Sequence, residues 1–199
     1  MASDLIYLYR GKQEKTDDGS ILVRRAVKDY CEVRGCPPDL ARSAETAKIV
    51  RGPFGKPYFD GVPIYFSVSH TDGLWACAFS ESEVGLDVQF MRQKVYDGVR
   101  RRFYTENESD YVDRYGLEGF YDVWVRREAF GKMTGRGIIS EMPDMAGTDG
   151  KSVGGPGVLL RRTAVYEGKS YNIRSFFAGE EYRGAICSLS DEQEVKVLP

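Results

Sequence analysis

Asp87 and Glu128 are the residues of this chain best suited to do chemistry. Asp87 stands in Val84-Gly85-Leu86-Asp87-Val88-Gln89, an apolar, strand-like run with one carboxylate at its end. Glu128 stands in Trp124-Val125-Arg126-Arg127-Glu128-Ala129-Phe130-Gly131-Lys132, which reads as a helix with an acid four residues before a lysine. Positions i and i+4 share a helix face, so Glu128 and Lys132 can address one ligand. Two hard carboxylates and an ammonium suit Mg²⁺ on a phosphate substrate, because Mg²⁺ commonly takes one or two carboxylates plus phosphate oxygens. Each frame also has a plain structural reading. Asp87 can cap a helix, and Glu128 with Lys132 can be an exposed pair worth a few tenths of a kcal/mol.

For these side chains to meet, a strand and a later helix must come together. Residues 5–9 read as a first strand and 21–33 as a helix, with Ile21, Leu22, Val23, Ala26, Val27 and Tyr30 near helical spacing. Pro37-Pro38-Asp39 marks a fresh start for a short helix over 41–47. Residues 62–68 and 75–79 are β-rich and flank Thr71-Asp72-Gly73, which fits a hairpin or a short helix at His70. Residues 84–90 form the strand of Asp87. The pattern turns helical over 95–115 and again over 120–134, where Gly135 and Gly137 stop it. Three antiparallel strands are expected over 163–166, 170–177 and 182–189. Blocks of helix and strand without strict alternation make the expected class α+β. The Gly-rich stretch 147–157 contains Gly150-Lys151-Ser152, but Met145 stands where a phosphate loop needs glycine, so a surface loop is expected.

The rest of the sequence narrows the function classes. The chain has 199 residues, room for one large domain or two small ones, and 42% hydrophobic with 13% aromatic content excludes a disordered chain. A net charge of −2 leaves no basic footprint for nucleic acid. No apolar run approaches the ~20 residues that span a bilayer, so no membrane partner is expected. The early acid Asp4 and the lack of a long apolar stretch argue against a signal peptide. Cys31, Cys36, Cys77 and Cys187 form no C-x-x-C pair and no zinc pattern. A cytoplasmic protein with reduced thiols is the expectation.

Three further segments fall into order with the acidic pair. Arg51-Gly52-Pro53-Phe54-Gly55-Lys56-Pro57 precedes Phe66-Ser67-Val68-Ser69-His70-Thr71, and Arg102-Phe103-Tyr104-Thr105-Glu106-Asn107-Glu108 lies between the two acids. Together these motifs resemble those of the 4'-phosphopantetheinyl transferases of the larger, single-chain type, with their G-K-P, F-N-x-S-H and R-F-x-x-x-E elements. The resemblance runs from about residue 21 to residue 189. Ser67 stands where the family commonly has Asn, Arg127 where it commonly has Lys, and Gln89 where many members carry a second acid.

The resemblance implies two similar α+β halves, 1–84 and 85–199, forming a pseudo-dimer with the ligand site between them. It implies Mg²⁺-dependent transfer of 4'-phosphopantetheine from coenzyme A to a serine of an acyl or peptidyl carrier-protein domain, performed by a monomer. The products are holo-carrier protein and adenosine 3',5'-bisphosphate. Asp87, Glu128 and, as a neutral ligand, Gln89 would hold Mg²⁺. Glu128 would act as the base and Lys132 would stabilise the leaving phosphate. Arg51, Lys56, Ser69 and His70, with Asp87 and Lys132, would bind coenzyme A. Without the resemblance, His70 is as readily structural, Lys56 a turn residue and Arg51 surface charge. Lys12 and Lys15 are weaker candidates for the 3'-phosphate, and Arg100-Arg101-Arg102 is a solvated helix face or a steering patch for an acidic carrier. Two other classes stay open. One is a member that binds coenzyme A or a carrier without efficient transfer, for which Gln89 and Arg127 argue. The other is an unrelated Mg²⁺-dependent phosphohydrolase, against which the shortage of further carboxylates argues.

Overall fold

The computed structural model describes residues 4–10, 19–52, 54–93, 96–138, 141–146, 160–190 and 193–197. Lys12, Lys15, Pro53 and the Gly-rich stretch 147–157 lie outside the described residues. In chain order the elements are β1 (Asp4–Arg10), α1 (Ser20–Arg34), α2 (Pro38–Thr46), β2 (Ile49–Arg51), β3 (Pro57–Phe59), β4 (Tyr65–Thr71), β5 (Leu74–Ser80), β6 (Val84–Phe90), α3 (Asp97–Phe103), α4 (Glu106–Thr134), β7 (Leu160–Tyr166), β8 (Lys169–Phe176), β9 (Tyr182–Ser188) and β10 (Gln193–Val197). The class is α+β, as the sequence leads one to expect. No helix among the described residues is long and apolar enough to cross a membrane.

Local chemistry explains the boundaries. α1 buries Leu22, Val23, Ala26, Val27 and Tyr30 along one face and stops at Gly35, whose φ of 61° lets the chain close its last turn. Of the two readings at His70, the hairpin is the one found: β4 runs through His70, and the β4–β5 turn uses Gly73 at φ 73°.

Two four-stranded sheets, ordered β10-β1-β5-β4 and β6-β9-β8-β7, carry the architecture. Each contains a strand, then a helix, then a hairpin whose last strand pairs antiparallel with the first: β1, α1, β4–β5 in one and β6, α4, β8–β9 in the other. Alternation along β1 sends Leu5 and Tyr7 under α1 and Ile6 and Leu8 the other way. Ile6, Leu8, Ala76 and Ala78 meet Val84, Leu86, Val88 and Ile186, so the sheets pack face to face around a shared apolar core. On the far face of the second sheet, Val125, Ala129, Phe130 and Met133 of α4 cover Ile173, Ala185 and Cys187. The layers are therefore helix, sheet, sheet, helix. β10 pairs parallel with β1, so residues 193–197 join the first sheet, away from the rest of the 85–199 half.

Candidate functional site

β4 and β6 are edge strands of different sheets, and they face each other. Side chains join them: the hydroxyls of Ser67, Ser69 and Thr71 accept from the backbone N–H of Leu86, Val88 and Phe90 at 3.0, 3.2 and 3.2 Å. The constant offset of 19 residues means the two strands run parallel. These hydroxyls occupy edge groups that would otherwise lie open to other chains. Ser69 also donates to Asp87 Oδ1 at 2.8 Å. Asp87 is mid-strand and not at the strand's end, because Val88, Gln89 and Phe90 go on pairing with Gly184, Arg183 and Tyr182 of β9.

α4 lies directly on β6 because residue 85 has no side chain. A Cβ there would sit 1.9 Å from the Ala129 carbonyl oxygen and 2.4 Å from the Met133 nitrogen. This approach sets Glu128 and Lys132 over the strand. Lys132 Nζ donates to Asp87 Oδ1 at 2.7 Å, and Gln89 Nε2 donates to Asp87 Oδ2 at 3.0 Å. Asp87 is 2% exposed. Burial, with the nearby Asp87 charge adding to it, pushes the Glu128 carboxyl above its ordinary range, while Lys132 pulls it back.

Two neighbouring carboxylates and an amide form a hard-oxygen set of the kind Mg²⁺ takes. Among the described residues no group of three or more His, Cys, Asp and Glu converges, so water and ligand oxygens would have to complete the shell. Gln89 now presents its N–H₂ to Asp87, and its amide must turn over to offer oxygen to a cation.

The other expected site residues divide. Ser69 is buried in the cluster, while His70, the next residue, is exposed on the opposite side of β4. Lys56 pairs with Glu83 and donates to the carbonyls of Val84 at 3.0 Å and Met133 at 3.4 Å, tying the Gly55-Lys56-Pro57 turn to the end of α4. Arg51 is exposed and braces its own turn through the Gly55 carbonyl at 2.8 Å. A cleft of about 820 Å³ opens beside them, between the turns of 52–66, the end of α4 and the β7–β8 hairpin; Phe54, Tyr58, Tyr65, Arg136 and Tyr166 line it. A smaller cavity of about 220 Å³ shares Phe54, Lys56, Pro57 and Gly135 with that cleft and reaches Lys132. Asp87, Gln89, Glu128, Lys132 and Ser69 thus gather at one point and Lys56 lines both cavities, while Arg51 and His70 are exposed and line neither. Gly85 and the rungs of Ser67 and Thr71 were not among the expected residues, and Ser69 was expected as a phosphate ligand, not as a rung. A glycine inside an apolar strand is the signal for the first, and the Ser-x-Ser-x-Thr alternation for the second.

Residues 83–187 match the sequence model of the 4'-phosphopantetheinyl transferase superfamily, and the chain belongs to that superfamily. It is similar to a 4'-phosphopantetheinyl transferase of Bacillus subtilis, 28% identical over 143 residues that cover 68% of this chain and 60% of that protein. It is also similar to the transferase Sfp of Bacillus subtilis strain 168, 31% identical over 91 residues, covering 43% of this chain and 40% of Sfp. A third relative is the transferase gsp of Aneurinibacillus migulanus, 28% identical over 89 residues, or 43% and 37% of the two chains. The matches thus span three-fifths or less of these relatives.

Proposed function

We propose that this protein, acting as a monomer, transfers 4'-phosphopantetheine from coenzyme A to a serine of an acyl or peptidyl carrier-protein domain. The observation that carries this reading is the convergence of Asp87, Gln89, Glu128 and Lys132 beside the seam between two sheets of repeated topology. The repeat supports two similar halves with the substrate between them. Mg²⁺ held by Asp87, Glu128 and the turned Gln89 amide would neutralise the pyrophosphate as its P–O bond breaks. Glu128 takes the proton of the carrier serine directly or through water. The serine Oγ–P bond forms, and adenosine 3',5'-bisphosphate leaves with its new charge against Lys132. Ser69 holds the Asp87 carboxylate in place during this exchange. The aromatic cleft beyond Lys56 has the size of a small-molecule site and takes the nucleoside end. Incubation with coenzyme A, Mg²⁺ and an apo-carrier protein, read by mass spectrometry, tests the reading: the carrier gains one phosphopantetheine, and no gain refutes it.

Gln89 favours a second reading, in which one carboxylate fewer leaves a protein that binds coenzyme A or a carrier without turnover. The same position gives a graded prediction. Gln89→Glu should lower the Mg²⁺ concentration for half-maximal activity by about ten-fold, the scale of one charge-assisted contact. Superimposable Mg²⁺ titrations of the two proteins would mean that residue 89 does not touch the ion.

Arg51, Lys56 and His70 make coenzyme A binding electrostatic in this reading. Affinity measured by calorimetry should fall as salt rises, and dephospho-coenzyme A should bind more weakly than coenzyme A. Equal affinities for the two ligands would remove the 3'-phosphate contact.

A further inference from the structure

We propose that Glu108 and Arg127 are a positioning pair whose ion pair sets the angle between two arms of α4 and so fixes where Glu128 stands. The inference rests on the transfer reading above.

Glu108 and Arg127 are 19 residues apart in the chain. On a straight helix that separation would span about 28 Å. Instead Arg127 Nε lies 3.1 Å from both carboxylate oxygens of Glu108 and Nη2 lies 2.8 Å from Oε2. The break is at Gly116, at φ 59° and ψ −134°, so α4 folds back into arms 106–115 and 117–134. The arms cross closely at Gly119, where an added Cβ would lie 3.0 Å from the Tyr111 carbonyl oxygen and 3.3 Å from Val112 Cα.

Neither side chain of the pair has any solvent exposure. Glu108 also accepts from the backbone N–H of Thr105 at 2.8 Å, closing a capping box, and of Met145 at 2.7 Å. Arg126 donates to the Met145 carbonyl at 2.9 Å and to Ser175 Oγ of β8 at 2.7 Å. The start of the first arm, the middle of the second, residues 144–146 and β8 are thus one buried polar network. Partnered charges in such a network specify a single arrangement, because any other leaves a charge buried alone.

Asp87 is placed by β6 and Ser69, independently of this network. Glu128 follows Arg127 directly, so a change in the second arm's tilt or rotation moves Glu128 and Lys132 together against a stationary Asp87. The loss should therefore appear in metal binding and in the chemical step, and reach coenzyme A only through Lys132 and the Lys56 turn that the end of α4 holds. Arg127 stands where the family commonly has Lys. A lysine can keep the charge but only part of the two-pronged grip.

The test compares wild type with Arg127→Met and Arg127→Lys, all measured well below their melting temperatures. For Arg127→Met we expect Mg²⁺ affinity, titrated by calorimetry on the protein alone, to fall by about 10–100-fold, as for loss of an outer partner of a metal ligand. kcat should fall in parallel. Arg127→Lys should recover most of both losses. Wild-type Mg²⁺ affinity and kcat in Arg127→Met, with only the melting temperature lowered, would overturn the proposal. If Arg127→Met does not fold, the double variant Glu108→Leu with Arg127→Met, which buries no lone charge, is measured against the same two outcomes. A wild-type protein that binds Mg²⁺ but transfers nothing overturns the transfer reading alone, and the affinity comparison still decides the role of the pair.

Discussion

Glu128→Gln is expected to lower the transfer rate by about 10²–10⁴-fold, the range for loss of a positioned base, while coenzyme A still binds. The same substitution should stabilise the metal-free protein. Burial and the Asp87 charge push the Glu128 carboxyl up, so its ionisation opposes folding as pH rises past the ordinary carboxylate value, and does so fully above the raised one. The gain over wild type is therefore small in acid and grows toward neutral pH. Saturating Mg²⁺ should reverse the order, since ligand binding stabilises only the protein that binds it well. Thermal melts at about pH 4 and about pH 8, on either side of the carboxylate range, with and without Mg²⁺, check all three statements. Transfer within a few-fold of wild type would remove Glu128 from the base role.

Gly85→Ala should have the largest structural effect of any one-carbon change at the site. The added methyl would fall 1.9 Å from a backbone oxygen and 2.4 Å from a backbone nitrogen of α4, neither of which belongs to a movable side chain. Either the helix retreats or the strand does, at about 1–3 kcal/mol or more for overpacking. Retreat also lifts Glu128 and Lys132 from Asp87, and a displacement of ~1 Å at a reacting centre costs about 10²-fold in rate. Gly98→Ala on α3 is the matched control, since a Cβ there meets nothing within 4 Å. Denaturant midpoints and transfer rates of the two variants should differ sharply; equal behaviour would mean that α4 does not rest on the strand through residue 85.

The candidate site was legible where local periodicity and function coincide. Alternation along 84–90 and the i, i+4 spacing of Glu128 and Lys132 are short-range patterns, and the structure sets them against each other. The gap between the two expected helices, 95–115 and 120–134, falls at Gly116, where α4 turns back. The break before Thr105 was not expected, although Thr105 and Glu108 carry a capping-box signature. β2 and β3, at three residues each, are too short to show a period, and β10 is visible only through its partner β1. Ser69 and His70 look alike as phosphate ligands in a linear motif. On an extended strand neighbours face opposite ways, so one turns inward to Asp87 and the other out to solvent. No signal within the chain's local pattern pairs Glu108 with Arg127, because their contact exists only after the fold-back.

The three hydroxyl rungs between β4 and β6 repeat every second residue, and a repeating pattern is blind to its own translation. Sliding one sheet past the other by two residues would still pair two of the three hydroxyls with N–H groups, yet would carry Asp87 about 7 Å along the seam, away from Ser69. The rungs therefore specify that the sheets meet and which faces they show, but not the phase in which they meet. Phase comes from two features that do not repeat: Lys56, which reaches the carbonyls of Val84 on β6 and Met133 on α4 from the turn before β3, and the Asp87 carboxylate, which gives Ser69 an acceptor that its two companions lack. The residue proposed to do the chemistry is in this way also the index mark by which the two sheets find their alignment.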